Sequence, residues 1–331
     1  MDSPRCERRY AVLRRRITRR LQDLVPRWAS RTLTEASSWA LETPGKQIRG
    51  VLVMLSAEAA GGRARDALDA AVAVETLHSF TLVHDDIMDN AAVRRGRPSV
   101  HARWNSATAL LVGDALTGLA YGSLLRSPRE HLTRAATLFT RGLVEVCEGQ
   151  ALDLEFERRR EVSREEYFLM IEKKTARLVA VAAELGACIG GGNPSLVRRL
   201  RAFGFRLGRA FQLQDDLLDA TADESRLGKP VGGDIREGKK TILLLTALER
   251  TGGRDRALLR GLGKGTRTPG ADRRLVESVT HIYEREGVLA DTALLVRTET
   301  DRALGALGGL PPSRARDMLR WLALRLLNRT A

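Results

Sequence analysis

Asp85-Asp86-Ile87-Met88-Asp89 and Asp215-Asp216-Leu217-Leu218-Asp219 are two copies of one pattern, D-D-x-x-D, each closing an apolar stretch of helical period and followed by Gly/Pro loop text. Residues four apart share a helix face, so Asp85 stands beside Asp89 and Asp215 beside Asp219. In a last turn these carboxylates oppose the helix dipole. A hard cation such as Mg²⁺ removes that conflict, and this ion characteristically bridges one or two carboxylates to substrate phosphates. The pattern predicts that Asp85, Asp86, Asp89, Asp215, Asp216 and Asp219 hold two or three Mg²⁺ ions whose charge is balanced by a diphosphate.

Outward from the two motifs the text stays helical. The spacing predicts helices near 7–25, from Pro44-Gly45 to about 60, from Asp66 into the first motif, and near 105–126 and 130–156. Ser163 with Glu166 forms a capping box that opens a helix reaching about Ile189. Gly190-Gly191-Gly192-Asn193-Pro194 breaks it, and a long helix from about 195 carries the second motif. Helices near 240–250, 270–286, 288–306 and 312–328 complete the chain. No stretch alternates with period two, and no low-complexity linker divides it. The expected fold is all-α: one domain over residues 1–331, its helices ending around a central cavity.

Composition agrees. Aromatics are 5% of the chain and apolar residues 43%, enough for a core and too few rings for stacking on bases. With no nucleic-acid motif and with arginines spread throughout, the net charge of +14 reads as solvated surface, and no nucleic-acid partner is expected. Three cysteines, Cys6, Cys147 and Cys188, imply a reducing compartment, hence the cytoplasm, with no disulfide framework. Cys147 and Cys188 read as buried thiols. No signal peptide or apolar run approaching a transmembrane span is visible. Tyr10, Leu13, Ile17, Leu21 and Leu24 mark an amphipathic helix docked on the body, with peripheral membrane contact as the lesser reading.

The cations cluster where an anion would bind. Only seven lysines occur, and Lys46, Lys173, Lys174, Lys229, Lys239 and Lys240 lie in segments suited to phosphate contact. Lys46 and Arg49 are expected to share the first turn of a helix, where the dipole favours anions. Arg94 and Arg95 come after the first acidic motif on a loop. Together the four could grip a diphosphate without metal. Gln212, three residues before Asp215, reads equally as a packed amide or a cavity lining.

As a set, these segments resemble the trans-isoprenyl diphosphate synthase (polyprenyl synthetase) family over essentially the whole chain. The carrying residues are Gly45-Lys46-Gln47-Ile48-Arg49, His84 through Asn90 with Arg94-Arg95-Gly96-Arg97-Pro98, and Glu148-Gly149-Gln150 with Asp153. Lys174-Thr175, Phe211 through Asp219, and Gly228-Lys229-Pro230 with Gly233-Asp234 and Lys239 complete them. The resemblance implies condensation of isopentenyl diphosphate with dimethylallyl, geranyl or farnesyl diphosphate. Mg²⁺ on Asp85, Asp89 and Asp215 would hold the allylic diphosphate, with Asp86, Asp216 and Asp219 in support. Arg94, Lys174, Lys229 and Lys239 would contact that diphosphate, while Lys46, Arg49, His78 and Arg95 would take isopentenyl diphosphate. Thr175 and Gln212 would place oxygens near the allylic cation.

Phe80 and Thr81, behind Asp85, would form the floor that limits chain length. They resemble the residues of short-chain enzymes making geranylgeranyl diphosphate, with farnesyl diphosphate the alternative product, and a homodimer is the usual assembly. Departures are small: Gly50 where many members have Pro, Ala91-Ala92 in a usually polar loop, and only Arg329 at the basic tail. A terpene synthase would normally replace the second motif with an Asn/Asp-Ser/Thr-Glu pattern. A non-catalytic subunit of a heteromeric prenyl synthase would typically lose part of a motif. Both motifs are intact.

Overall fold

A computed structural model describes residues 3–43, 45–221, 232–263 and 269–327. The chain is all-α. In order come α1 (Ser3–Gln22), α2 (Arg31–Glu42), α3 (Ile48–Ala59), a 3₁₀ turn (Ala64–Ala67), α4 (Leu68–Met88), a two-residue hairpin of β1 (Val93–Arg94) and β2 (Arg97–Pro98), and α5 (Val100–Arg103). Next are α6 (Ser106–Leu124), α7 (Arg129–Arg158), α8 (Arg164–Ile171), a π-turn (Glu172–Ala176), α9 (Arg177–Ile189) and α10 (Pro194–Thr221). The chain finishes with α11 (Gly233–Glu237), α12 (Ile242–Arg250), α13 (Gly253–Arg260), α14 (Pro269–Arg285), α15 (Val288–Gly308) and α16 (Arg314–Leu327).

These elements group into two compact units. The first comprises Met1–Leu143, Val179–Arg201 and Gly309–Trp321. Its centre is α3, every residue of which from Gly50 to Ala57 is buried, and α4, buried from Ala70 to Leu77. A helix apolar all round belongs inside a core, and each such Val or Leu contributes about 1.5–3 kcal/mol relative to exposure. Around it α1 buries Cys6, Tyr10, Leu13, Ile17 and Leu21, the expected one-sided stripe, and the Tyr10 ring packs on Trp321 at 5.9 Å.

The second unit comprises Val144–Leu178, Ala202–Gly308 and Leu322–Ala331. Its core joins Tyr167 and Ile171 of α8, Leu213 of α10, Ile242–Leu245 of α12, and Val279 and Tyr283 of α14. The capping box at Ser163 is present: its hydroxyl accepts from Glu166 N, and Glu166 accepts from Ser163 N at 2.8 Å.

Several sequence expectations shift. Helix α2 is an addition to the expected elements, and α3 begins at Ile48 instead of near Pro44, because Gln47 stands in the left-handed region (φ 52°). Asp66 lies inside the 3₁₀ turn paired with Arg63 (2.9 Å) instead of capping α4. The run from 164 to 189 is not one uniform helix but is interrupted by the π-turn. Cys147 is exposed, not buried, while Cys188 is buried as expected. Pro44, Gly228-Lys229-Pro230 and Arg329 lie outside the described residues. Among the described residues one helix, α6, is long and apolar enough to cross a membrane by length and composition, a test that the core helix of a globular protein also passes.

Inside the second unit Glu299 of α15 is 3% exposed and faces three guanidinium groups: Arg302 at 2.9 Å, and from α10 Arg206 at 3.1 Å and Arg209 at 3.6 Å. Arg209 also reaches Glu172 at the head of the π-turn, at 2.6 Å. Removing one member of a buried charge group leaves its partners uncompensated. Glu299→Ala should therefore destabilise the protein by about 3 kcal/mol, read as a lower urea midpoint with an unchanged slope.

Candidate active site

In each acidic motif the middle aspartate behaves differently from its neighbours. Asp86 is 3% exposed, and its Oδ1 accepts from Arg94 Nε at 2.8 Å and from the same guanidinium's Nη2. Asp216 is 4% exposed; Oδ2 accepts from the Tyr167 hydroxyl at 2.6 Å and Oδ1 from the Gln212 amide at 2.8 Å. The first and last aspartates stay partly or fully exposed. Asp89 is the C-cap of α4, so the first motif ends its helix as expected. Asp219 lies two residues before the end of α10.

Around the first motif the structure gathers Arg49, His78, Arg94 and Arg95. Burial, together with Arg49, Arg95 and Arg94, holds His78 well below the usual histidine range, so its ring is neutral. Glu75, buried one turn before His78, accepts from Gly50 N at 2.7 Å. Burial pushes its carboxyl up, while Arg49 and Arg95 oppose the shift.

Arg94 and Arg95 stand on a tight hairpin rather than a loose loop. Arg95 Nη1 donates to Thr43 O. Arg97 lies over the Trp39 ring and donates to Glu42 at 2.9 Å, and Trp39 Nε1 donates to Pro98 O at 3.1 Å. Lys46 does not share the helix with Arg49: it is exposed in the preceding turn, and its backbone carbonyl accepts from Tyr10. Phe80 meets His84 edge-on, ring centres 4.8 Å apart, and Thr81 donates to His78 O at 2.8 Å.

Around the second motif, Lys174 and Thr175 sit on the π-turn. That turn is pressed on both sides. A Cβ on Gly149 would fall 2.2 Å from Lys174 N, and one on Gly208 would fall 2.5 Å from Ala176 Cα. Lys174 Nζ lies 2.5 Å from Asp153 Oδ2, and Lys173 Nζ 2.6 Å from Glu148 Oε2. The Thr175 hydroxyl donates to Gln212 Oε1 at 2.9 Å, which joins Gln212 to the same network. Asp219 Oδ2 accepts from Asp234 N at 2.9 Å. Lys239 lies 3.1 Å from Glu237 and 3.8 Å from Asp234. A cavity of about 10 Å³ is lined by Asp216, Asp219, Asp234, Lys239 and Tyr283, room for about one water-sized occupant. Lys229 lies outside the described residues.

Burial, countered by the Tyr167 and Gln212 hydrogen bonds, holds Asp216 at about 6. Burial, then Asp219 and Asp216, push Asp234 up to about 7. Tyr167 and Glu75 carry no expectation from the sequence, and Asp234 only a place in the family resemblance. Spacing offers one usable signal, Asp234 beside a Gly-rich breaker, and none for a tyrosine on a neighbouring helix.

Among the described residues no three acidic, histidine or thiol groups converge into a metal cage. The donor set fits a small hard ion that keeps several waters and is shared with phosphate oxygens rather than enclosed by protein. Each motif offers carboxylates at its first and last positions for such an ion.

A family model described as polyprenyl synthetase matches residues 30–279. The chain is 41% identical over 316 residues to a short chain isoprenyl diphosphate synthase of Methanothermobacter thermautotrophicus, covering 95% of this chain and 94% of the relative. It is 45% identical over 221 residues to a geranylgeranyl diphosphate synthase of Sulfolobus acidocaldarius, covering 66% and 67%. The crystal structure of a geranylgeranyl pyrophosphate synthetase from Pyrococcus horikoshii superposes with a TM-score of 0.93 at 36% identity, covering 99% of both chains.

Asp234 supplies a test of the acidic cluster. Between the ordinary carboxylate pKa of about 4 and about 7, the folded chain holds a proton that the unfolded chain has lost. Its ionisation therefore destabilises the metal-free fold progressively as pH rises through that window. Asp234→Asn should match the parent's melting temperature near pH 4 and exceed it by pH 8, by about 2–4 °C for each kcal/mol recovered. Thermal melts in chelator across pH would show it.

Proposed function

The chain belongs to the polyprenyl synthetase family and is a trans-prenyltransferase, and from that premise we propose that it condenses isopentenyl diphosphate with dimethylallyl, geranyl or farnesyl diphosphate to give geranylgeranyl diphosphate. Farnesyl diphosphate is the alternative product. The observation that carries the reading is the repeated architecture of the acidic motifs: the middle acid is buried, and the first and last acids keep partly or fully exposed side chains that a metal-bound phosphate would reach. The names of the relatives support the twenty-carbon product.

Mg²⁺, two or three ions at Asp85, Asp89, Asp215 and Asp219, would supply charge neutralisation of the leaving diphosphate. The protein's own groups do the rest. Arg49, Arg95 and the neutral His78, with Lys46 beside them, bind the diphosphate of isopentenyl diphosphate. Arg94, Lys174 and Lys239 contact the allylic diphosphate and stabilise it as it departs. The allylic C1–O bond breaks, its electron pair leaving with the diphosphate. The isopentenyl double bond then attacks C1, and the departed diphosphate takes the proton that restores a trans double bond. Gln212 and Thr175 turn oxygens toward the positive charge.

Phe80 limits the product. Five residues of helix separate it from Asp85, about 7.5 Å, and its edge-on contact with His84 holds its ring in place. We also infer a homodimer. Helix α6 leaves Leu110 and Leu111 half or more exposed, large apolar side chains that a second copy would cover. The compartment is the cytoplasm, in keeping with cysteines that form no disulfide.

Incubation with Mg²⁺, isopentenyl diphosphate and each allylic primer should give a twenty-carbon trans diphosphate by mass. Phe80→Ala should extend it by one or two five-carbon units; an unchanged profile would remove Phe80 from the floor. Leu111→Glu should shift the dimer toward monomer in light scattering, and a parent already monomeric would refute the assembly.

A further inference from the structure

Four side chains of the second unit form one continuous relay, buried at Tyr167 and Asp216 and half-buried at Gln212: Tyr167 hydroxyl to Asp216 Oδ2 (2.6 Å), Gln212 amide to Asp216 Oδ1 (2.8 Å), and Thr175 hydroxyl to Gln212 Oε1 (2.9 Å). Tyr167 is 1% exposed and Asp216 4%. Both carboxylate oxygens are occupied by donors from the protein's own side chains. A ligand to Mg²⁺ presents an oxygen lone pair to the ion and keeps it within reach of water and phosphate. At Asp216 one donor already sits on each oxygen and the residue is 4% exposed, with room beside it for about one water.

The direction of each bond matters. An anionic acceptor polarises the amide that donates to it, and a polarised amide carries more negative charge on its carbonyl oxygen. That oxygen, Gln212 Oε1, in turn holds the Thr175 proton and leaves the hydroxyl lone pairs pointing away from it. The relay thus joins a buried negative charge at one end to two oxygens at the other, Thr175 Oγ1 and Gln212 Oε1. It sits where the π-turn, pressed between Gly149 and Gly208, fixes Thr175.

We propose that Asp216 is a positioning residue rather than a metal ligand: held by Tyr167, it orients and polarises Gln212 and Thr175 so that their oxygens stabilise the allylic cation. This rests on the prenyltransferase reading above. Tyr167 acts by fixing the carboxylate; without its hydroxyl, Asp216 is free to rotate and Gln212 loses its single orientation.

Two variants test it. Asp216→Asn keeps the shape and a hydrogen-bonding oxygen but removes the charge. Tyr167→Phe keeps the buried ring and removes one donor. Hydrogen bonds to charged groups are worth about 1.5–3 kcal/mol, so each variant should lower kcat by about 10- to 100-fold. The KM for both diphosphates and the half-saturating Mg²⁺ concentration should stay within about twofold of the parent (under 0.5 kcal/mol).

A second readout separates cation stabilisation from general damage. With 2-fluorogeranyl diphosphate, whose fluorine withdraws electrons from the cation, both variants should lose more rate than with geranyl diphosphate. The ratio of the two rates, geranyl over fluorogeranyl, should therefore rise above the parent's. Asp219→Asn serves as the contrast, raising the Mg²⁺ requirement. A kcat that recovers at high Mg²⁺ in Asp216→Asn would make Asp216 a ligand and overturn the proposal. An unchanged rate ratio in both variants would reduce the relay to a structural role and overturn it too. If the parent elongates no primer, the prenyltransferase reading and the relay fall together; an active parent with unaffected variants defeats the relay alone.

Discussion

Three carboxylates in the last turns of a helix repel one another and the negative end of the dipole at once, and the rest of the site is built to contain that repulsion twice. In both motifs the middle aspartate is taken out of the contest by burial. The means differ. Asp86 is met by a guanidinium, which cancels its charge outright. Asp216 is met by a phenol and an amide, which keep its charge but distribute it. The hairpin bearing Arg94 therefore has to be held, and α2 holds it through Trp39, Glu42 and the Thr43 carbonyl. On the other unit α8 has to be held against α10, and Tyr167 joins the buried core to the acid.

The π-turn is the second consequence. An ordinary helix through Glu172–Ala176 would present its side chains at 3.6 residues per turn, and a π-turn widens that step and re-aims the side chains beyond it. Lys174 and Thr175 sit on the widened turn, one reaching Asp153 and the other Gln212. The wider turn needs room on both flanks, and Gly149 and Gly208 supply it by lacking a Cβ. Arg209 pins its first residue, Glu172, to the buried Glu299 group. Position in the site thus depends on a stability device several residues away.

These contacts explain how far the sequence is legible. The paired D-D-x-x-D motifs, the amphipathic α1 and the Ser163–Glu166 box are local patterns, set by spacing along one helix, and all three are present as expected. The all-α class comes from periodicity alone. Tyr167, Glu75 and Asp234 act through contacts between elements, which spacing along a chain does not encode. Helix α2 is hard to see because Arg31–Glu42 has a capped start at Ser30 but few large apolar residues to mark a face. The π-turn is hidden because its residues read as ordinary helix; only the two glycines on neighbouring helices betray it. Lys46 is expected on the helix because Gln47 gives no compositional sign of its left-handed backbone.

The cations of the site differ in kind from those that hold the fold, and depth is what divides them. Around Glu299 the acid is 3% exposed and three arginines converge on it; exchanging such partners would leave a buried charge bare. The lysines near the second motif are paired in shallower settings. Lys174 and Asp153 keep 28% and 26% of their side-chain surface, and Lys239 and Glu237 keep 38% and 62%. Ion pairs with that much water contribute about 0–1 kcal/mol. On the proposed reading a diphosphate would take these lysines from their carboxylates at little cost, because the pairs it breaks are shallow. The acids that partner them would then balance the ammonium charge before the anion arrives, without touching the bound phosphate.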